Sequence, residues 1–227
     1  MSSEYKSTAV LLSGGLDSAV LAADTLRRAP ITPIYVSVGF AWEAEERAML
    51  AALFSRPPFL GVPPPVVLSF DMGDVYPPDH WAIRGTPPGF DTPDEDVYLS
   101  GRNVILLSKA AVYLATAGLT PSRVLMGQLA CNPFPDATPA SLDAIGHALS
   151  LGLATTMVVE TPLVRLRKCE VIRRGMELGV PLQLTLSCMQ PSRGLHCGRC
   201  SKCRERRDAF HEARVEDRTQ YATAPVR

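Results

Sequence analysis

Short apolar runs alternate along the chain with longer stretches in which apolar positions return at helical spacing. Residues 8–12, 31–38, 65–70, 121–127 and 157–160 read as strands, and 16–26, 42–54, 103–117, 139–151, 168–178 and 201–213 as helices. That alternation predicts an α/β fold, a parallel sheet with helices on both faces. Glu43, Glu45 and Glu46 suit the first turn of the second helix, where acids complement the helix dipole. Residues 71–101 lose all periodicity and are rich in Pro, Gly and Asp. Lying after a strand, they are expected to form an active-site wall or a lid, with an idle surface excursion as the alternative. There is no internal repeat and no low-complexity segment.

Directly after the first strand, Ser13-Gly14-Gly15-Leu16-Asp17-Ser18 reads as a glycine-rich turn that opens a helix. Gly14 and Gly15 let backbone approach a ligand and take φ values that other residues resist. Free N–H groups at a helix start, the helix dipole and the hydroxyls of Ser13 and Ser18 suit an anion. The lysine of a G-x-x-x-x-G-K-[ST] loop and the third glycine of a dinucleotide fingerprint are both missing. A tight turn with no ligand is the plain alternative. The run resembles the SGGxDS loop of the PP-loop ATP pyrophosphatases, which cleave ATP between the α and β phosphates.

Charge and cysteine content narrow the function. Lys+Arg and Asp+Glu both number 23, so there is no global electrostatic case for a nucleic-acid partner, and small-molecule chemistry is expected. No run approaches the roughly 20 apolar residues of a membrane span. The first residues carry an acid, unlike a signal peptide, so a cytoplasmic location and reduced or metal-bound cysteines are expected. Cys188, Cys197, Cys200 and Cys203 have the spacing C-x8-C-x2-C-x2-C, which four thiolates around Zn²⁺ would satisfy. An iron–sulfur cluster uses the same ligands, and spacing does not separate the two. A full thiolate shell leaves no open position, so the metal is expected to be structural. Cys169 reads as core packing, Cys131 as a cysteine of a site loop, and His196 as a neighbour of the knot or a surface residue.

With these features in place the chain resembles the 7-cyano-7-deazaguanine synthase family, PP-loop ligases of queuosine biosynthesis, over residues 8–221. Beyond the loop at 13–18, the likeness rests on Leu99-Ser100-Gly101-Arg102-Asn103, on Phe134-Pro135-Asp136, and on Thr161-Pro162-Leu163 with Lys168. Ser187-Cys188, the run from Cys197 to Arg206, and Phe210 complete it. The resemblance implies a nucleotide-binding body at 1–180 and a zinc-holding segment at 181–227 packed on it. It implies conversion of a ring carboxylate to a nitrile through an amide, with ATP, Mg²⁺, ammonia and Zn²⁺. Ser13, Gly14, Gly15, Leu16, Asp17 and Ser18 would hold the ATP phosphates, and Arg102 and Lys168 would offset developing charge. The plain alternatives are a surface base for each of those two and a helix-start acid for Asp17. A homodimer is implied as well.

The chain departs from the family pattern in loops expected to face the acceptor. Phe40-Ala41-Trp42 stands where Gln and His are usual, Ala130-Cys131-Asn132-Pro133 precedes the shared aromatic-Pro-Asp, and Met189 replaces an aromatic. The chain therefore reads as a divergent branch or paralogue. Trp42 and Phe134 are candidates to stack on a planar ring or else core residues. Asn132 and Asp136 either bond a purine-like edge or form turns. Two other readings are a PP-loop enzyme that adenylates a tRNA base for thiolation and a non-catalytic nucleotide- or RNA-binding zinc module. For the latter, Lys202, Arg204, Arg206 and Arg207 are the basic run, interleaved with acids as on a solvated helix.

Overall fold

Alternate residues of the first strand face opposite ways, and both sets are apolar: Ala9 and Leu11 enter one core, Val10 and Leu12 the other. A strand of that kind must be covered on both faces. The computed structural model describes residues 5–130 and 132–223. Its strands are β1 (Ser7–Leu12), β2 (Thr32–Ser37), β3 (Val66–Ser69), β4 (Ser122–Leu125) and β5 (Met157–Glu160), all parallel, in the order β3-β2-β1-β4-β5. Ala9 of β1 sits between Thr32 of β2 and Val124 of β4.

The helices are α1 (Leu16–Leu26), α2 (Glu43–Phe54), α3 (Trp81–Arg84), α4 (Arg102–Thr116), α5 (Pro139–Gly152), α6 (Lys168–Glu177) and α7 (Ser201–Ala213). Leu107, Ala110, Ala111 and Leu114 of α4, with Leu142 of α5, fill the core on the Ala9–Leu11 side. Helices α1, α2, α6 and α7 cover the Val10–Leu12 side through Leu21, Leu53, Ile172 and Phe210. The chain moves outward from β1 to β3, then crosses back to β4 and β5. The strand order thus reverses between β1 and β4, and a crevice opens beyond their carboxyl ends, where α/β sheets bind ligands.

Two expectations change. The segment 71–101 is not devoid of structure: it holds the single turn α3 and a 3-10 turn at Asp94–Val97. Its order comes from aromatic packing, with Trp81 stacked on Trp42 at 5.7 Å, which no local periodicity reveals. Arg102, placed by sequence just ahead of a helix, is the first residue of α4, because Gly101 takes the cap position with φ +76°. Among the described residues no helix is long and apolar enough to cross a membrane.

Candidate active site and cysteine cluster

The turn after β1 is tight. Gly14 has φ +66°, and a Cβ there would lie 3.0 Å from the Glu46 carbonyl oxygen, so only glycine fits without strain. Gly15 N donates to Ser13 Oγ and Ser13 N to Ser18 Oγ, each at 3.3 Å, while Ser18 Oγ donates to the Gly15 carbonyl at 3.0 Å. Helix α1 begins behind Gly15 with no side-chain cap, so its first N–H groups stay available to a bound anion. From the other side of the crevice Gly127 approaches: a Cβ there would meet Ser18 N at 3.1 Å. Gly127 escaped the sequence reading, although a glycine at the end of the strand beside β1 was a visible signal.

Two cavities meet here. One, of about 230 Å³, lies over Leu12, Val36 and Met126 at the strand ends and is walled by Tyr98 and Leu99. The second, of about 490 Å³, runs on to Trp42, Trp81, Leu129, Lys168 and Met189. Ser13, Gly15, Asp17, Arg102, Asn132 and Phe134 line both. Val97, Tyr98 and Leu99 bring the irregular segment into the wall.

A row of alternating charges crosses the junction. Asp17 Oδ2 accepts from Lys168 Nζ at 2.7 Å, and the same ammonium lies 3.3 Å from Glu205 Oε1. Glu205 Oε2 holds Lys202 at 2.8 Å, and Lys202 lies 3.5 Å from Asp94. Burial pulls the Lys168 ammonium toward neutrality, but the carboxylates of Asp17 and Glu205 outweigh it and hold the proton more firmly than usual. Burial also works against Glu205, yet Lys168 and Lys202 lower it to about 2. For Asp17 burial wins and raises it, with Lys168 pulling the other way. Asp17 Oδ1 and Arg102 Nε are buried and have no protein partner, which leaves one acceptor and one charged donor free at the junction. The Arg102 guanidinium lies 5.9 Å from the Phe40 ring centre.

Sequence candidates for the acceptor wall divide. Trp42 is buried, stacked nearly parallel on Trp81, and its Nε1 donates to Glu46 at 3.1 Å. Phe134 is half-buried against Tyr98, 5.3 Å between ring centres. Asn132 Oδ1 accepts from Phe134 N at 2.9 Å, the Asx-turn arrangement, while its Nδ2 donates to Gln128. Both carboxylate oxygens of Asp136 are taken by Asn103, through N at 3.1 Å and Nδ2 at 3.0 Å. Asp136 therefore acts as a staple that fixes the start of α4, and Arg102 with it. Trp81 and Glu46 were missed as lining residues. Glu43, Glu45 and Glu46 lie in the first turn of α2, as expected, but Glu43 and Glu46 are buried: Glu43 accepts from Val38 N at 2.7 Å, and Glu46 from Tyr35 Oη at 2.9 Å.

The sulfurs of Cys188, Cys197, Cys200 and Cys203 lie within 4.8 Å of one another, and all four residues are buried. Backbone N–H groups of Gln190 and Cys197 point at Cys188 Sγ at 3.3 and 3.1 Å, and that of Arg199 at Cys197 Sγ at 3.4 Å. Such donors offset thiolate charge, so the donor set fits a closed tetrahedral metal site such as zinc. Cys169 is buried in the core, as expected; Cys131 lies outside the described residues. His196 is fully buried rather than at the surface, and its Nε2 accepts from Ser187 N at 3.1 Å, so it stands outside the sulfur cluster.

The basic run of α7 is not a solvated face. Arg206 is 0% exposed and donates to Thr185, Ser187 and Thr219 hydroxyls and to the Leu182 carbonyl at 2.7–3.0 Å. Arg204 donates to the Phe90 and Thr92 carbonyls, and Arg207 to those of Gly198 and Thr223. The cysteine cluster draws these loops beside α7, where their carbonyls claim the arginines.

The family model described as queuosine biosynthesis protein QueC matches residues 90–214. Curated relatives span nearly the whole chain. The 7-cyano-7-deazaguanine synthase of Anaeromyxobacter dehalogenans is 32% identical over 97% of both chains. That of Syntrophotalea carbinolica is 30% identical over 96% of this chain and 97% of its own. The Methanoculleus marisnigri enzyme is 33% identical over 95% and 99%.

Proposed function

We propose, since the chain belongs to the QueC family of 7-cyano-7-deazaguanine synthases, that it uses ATP and ammonia to turn a small deazapurine-like carboxylate into its nitrile, as in queuosine biosynthesis. A carboxylate oxygen attacks the α-phosphate of ATP and pyrophosphate leaves. Ammonia adds to the acyl carbon, AMP leaves with a proton lost from nitrogen, and an amide results. The amide oxygen then attacks the α-phosphate of a second ATP, pyrophosphate and one nitrogen proton leave, and loss of AMP with the other nitrogen proton gives the nitrile.

The observation that carries this reading is the meeting of two cavities at one set of groups, Asp17, Arg102 and the turn at Ser13–Gly15. The smaller cavity suits the nucleotide, its phosphates on the start of α1 and on Ser13, Gly14, Gly15, Leu16 and Ser18. The larger suits the acceptor, walled by Trp42, Asn132 and Phe134, with Asp136 as the staple behind them. Arg102 Nε and Lys168 face charge that grows as pyrophosphate departs. Asp17 Oδ1, which has no protein partner, would hold Mg²⁺, and that ion would offset phosphate charge. Zn²⁺ would be held by Cys188, Cys197, Cys200 and Cys203 and would fix α7. Residues 1–180 would form the nucleotide-binding body and 181–227 the metal-holding segment. The enzyme would work in the cytoplasm on small molecules, as a homodimer and without a nucleic-acid partner.

The test is release of pyrophosphate and AMP from ATP with Mg²⁺ and ammonium, with and without 7-carboxy-7-deazaguanine, the product followed by mass. Carboxylate-dependent release with loss of the acid to nitrile supports the reading. Folded, metal-loaded protein that ignores this acid overturns it for this acceptor.

A further inference from the structure

Lys168 is gripped from two sides. Asp17, from α1, supplies one carboxylate at 2.7 Å; Glu205, from α7, supplies the other at 3.3 Å. The second grip belongs to the metal-holding segment, since Glu205 lies two residues beyond Cys203 on the helix that Cys200 caps. Glu205 is itself fixed. Its other oxygen binds Lys202 at 2.8 Å, and Lys202 faces Asp94 in the wall segment. The wall is tied to α7 again by Arg204, whose guanidinium donates to the Phe90 and Thr92 carbonyls.

The arrangement has a consequence for the lysine. An ammonium with one nearby carboxylate settles on it, and the pair then neutralise each other. Here a second carboxylate shares the ammonium, at 3.3 Å against 2.7 Å for Asp17, and Asp17 Oδ1 has no partner. We propose that Glu205 is a positioning residue: it keeps the Lys168 ammonium suspended between α1 and α7, where it can meet a phosphate seated on the turn at Ser13–Ser18. The inference rests on the reading of that turn as the nucleotide site. Glu205 also lines the larger cavity, and the role proposed for it runs through Lys168.

The experiment uses the full-length, metal-loaded protein as wild type and as Glu205→Gln. Lys6, Lys109, Lys168 and Lys202 are the only lysines, so ¹³C-lysine labelling gives few signals, and Lys168→Arg assigns one of them. Three quantities are read: the pH titration of the Lys168 Cε signal, kcat with KM for ATP, and melting temperature with metal content. In Glu205→Gln the Lys168 signal is expected to titrate at lower pH, with Asp17 and Lys202 the charged groups still beside it. The kcat for pyrophosphate release falls about tenfold or more while KM for ATP stays within about threefold, as expected for lost alignment. Metal content stays at the wild-type value, while melting temperature falls with the lost ion pairs. A Lys168 signal indistinguishable from wild type overturns the proposal, as does an unchanged kcat in a protein whose wild type turns over. If Glu205→Gln fails to hold metal, Glu205→Asp, which keeps the charge, is read the same way. Its signal must lie closer to wild type than that of Lys168 in unfolded protein, or the proposal fails. If the wild type does not turn over the tested acid, the acceptor assignment has failed, and the lysine signal alone decides whether Glu205 holds Lys168.

Discussion

Glu46 links the sheet, the aromatic wall and the crevice, and its ionisation should be measurable as stability. The residue is 6% exposed, and its carboxylate accepts from Tyr35 Oη at 2.9 Å and Trp42 Nε1 at 3.1 Å. Burial raises it from 4.5 to about 7, against the pull of the Arg102 charge and the two hydrogen bonds. At 1.36 kcal/mol per pKa unit, that displacement corresponds to about 3 kcal/mol. An acid raised on folding binds its proton more tightly in the native state than in the unfolded one. Its stabilisation is therefore complete below pH 4.5 and is lost as pH rises through 7. Glu46→Gln keeps the shape and both contacts, with the amide oxygen accepting from Trp42 and the amide nitrogen donating to Tyr35, but it cannot ionise. Urea unfolding of both proteins at constant salt from about pH 5 to 8.5 isolates the Glu46 contribution as a difference, in which uncoupled groups cancel. Tyr35, buried beside Glu46 and Glu43, is raised and stays protonated across this range. The variant should gain on wild type by about 3 kcal/mol, most of it by pH 7. A difference that does not move with pH would show that Glu46 ionises without penalty, and the electrostatic account of this wall would be wrong.

Three further substitutions test other parts of the structure. Asp17→Ala should cut pyrophosphate release by about a hundredfold or more while circular dichroism and melting temperature hold; full activity would remove Asp17 from the mechanism. Cys200→Ser should lower metal content and melting temperature together, because a structural metal contributes folding free energy; an unchanged metal stoichiometry would refute its place among the ligands. Arg206→Met strands three hydroxyls and a carbonyl in a dry setting and should cost on the order of 3 kcal/mol in urea unfolding. A loss below about 1 kcal/mol would mean that the arginine is not what holds α7 to Leu182 and Thr219.

Much of the scaffold was legible in the chain because its signals are local. Each strand is an apolar run, α1 follows a glycine pair, and the four cysteines fall within a short stretch. What stayed hidden depends on partners far apart in sequence. Asp136 looked like a ligand for a substrate edge, but Asn103, brought alongside by α4, takes both of its oxygens. Arg206 looked like one cation in a solvated run, and nothing near it in sequence announces Thr185 or Thr219. Trp81 sat in a stretch with no period at all, and its place is set by stacking on Trp42.

That last contact belongs to a larger set of rings. The segment after β2, which departs from the family pattern, contributes Phe40 and Trp42 to it. Phe40 packs on Trp42 at 5.1 Å and on Tyr76 at 5.8 Å, Tyr76 stacks on His80 at 4.5 Å, and His80 adjoins Trp81, which returns to Trp42. The rings form a closed circuit between the end of β2 and the irregular segment. Aromatic pairs of this kind stabilise by about 0.5–1.5 kcal/mol each beyond the area they bury. The circuit thus supplies order to a segment that has no periodicity of its own, and two of its rings, Trp42 and Trp81, wall the larger cavity. Substitution at residue 42 therefore changes two things at once, the packing of the wall and the surface of the larger cavity. Trp42→Ala should therefore loosen Trp81 and the irregular segment while it opens the larger cavity, read as a lower melting temperature together with a changed KM for the acid. A melting temperature at the wild-type value would show that the circuit does not order the segment.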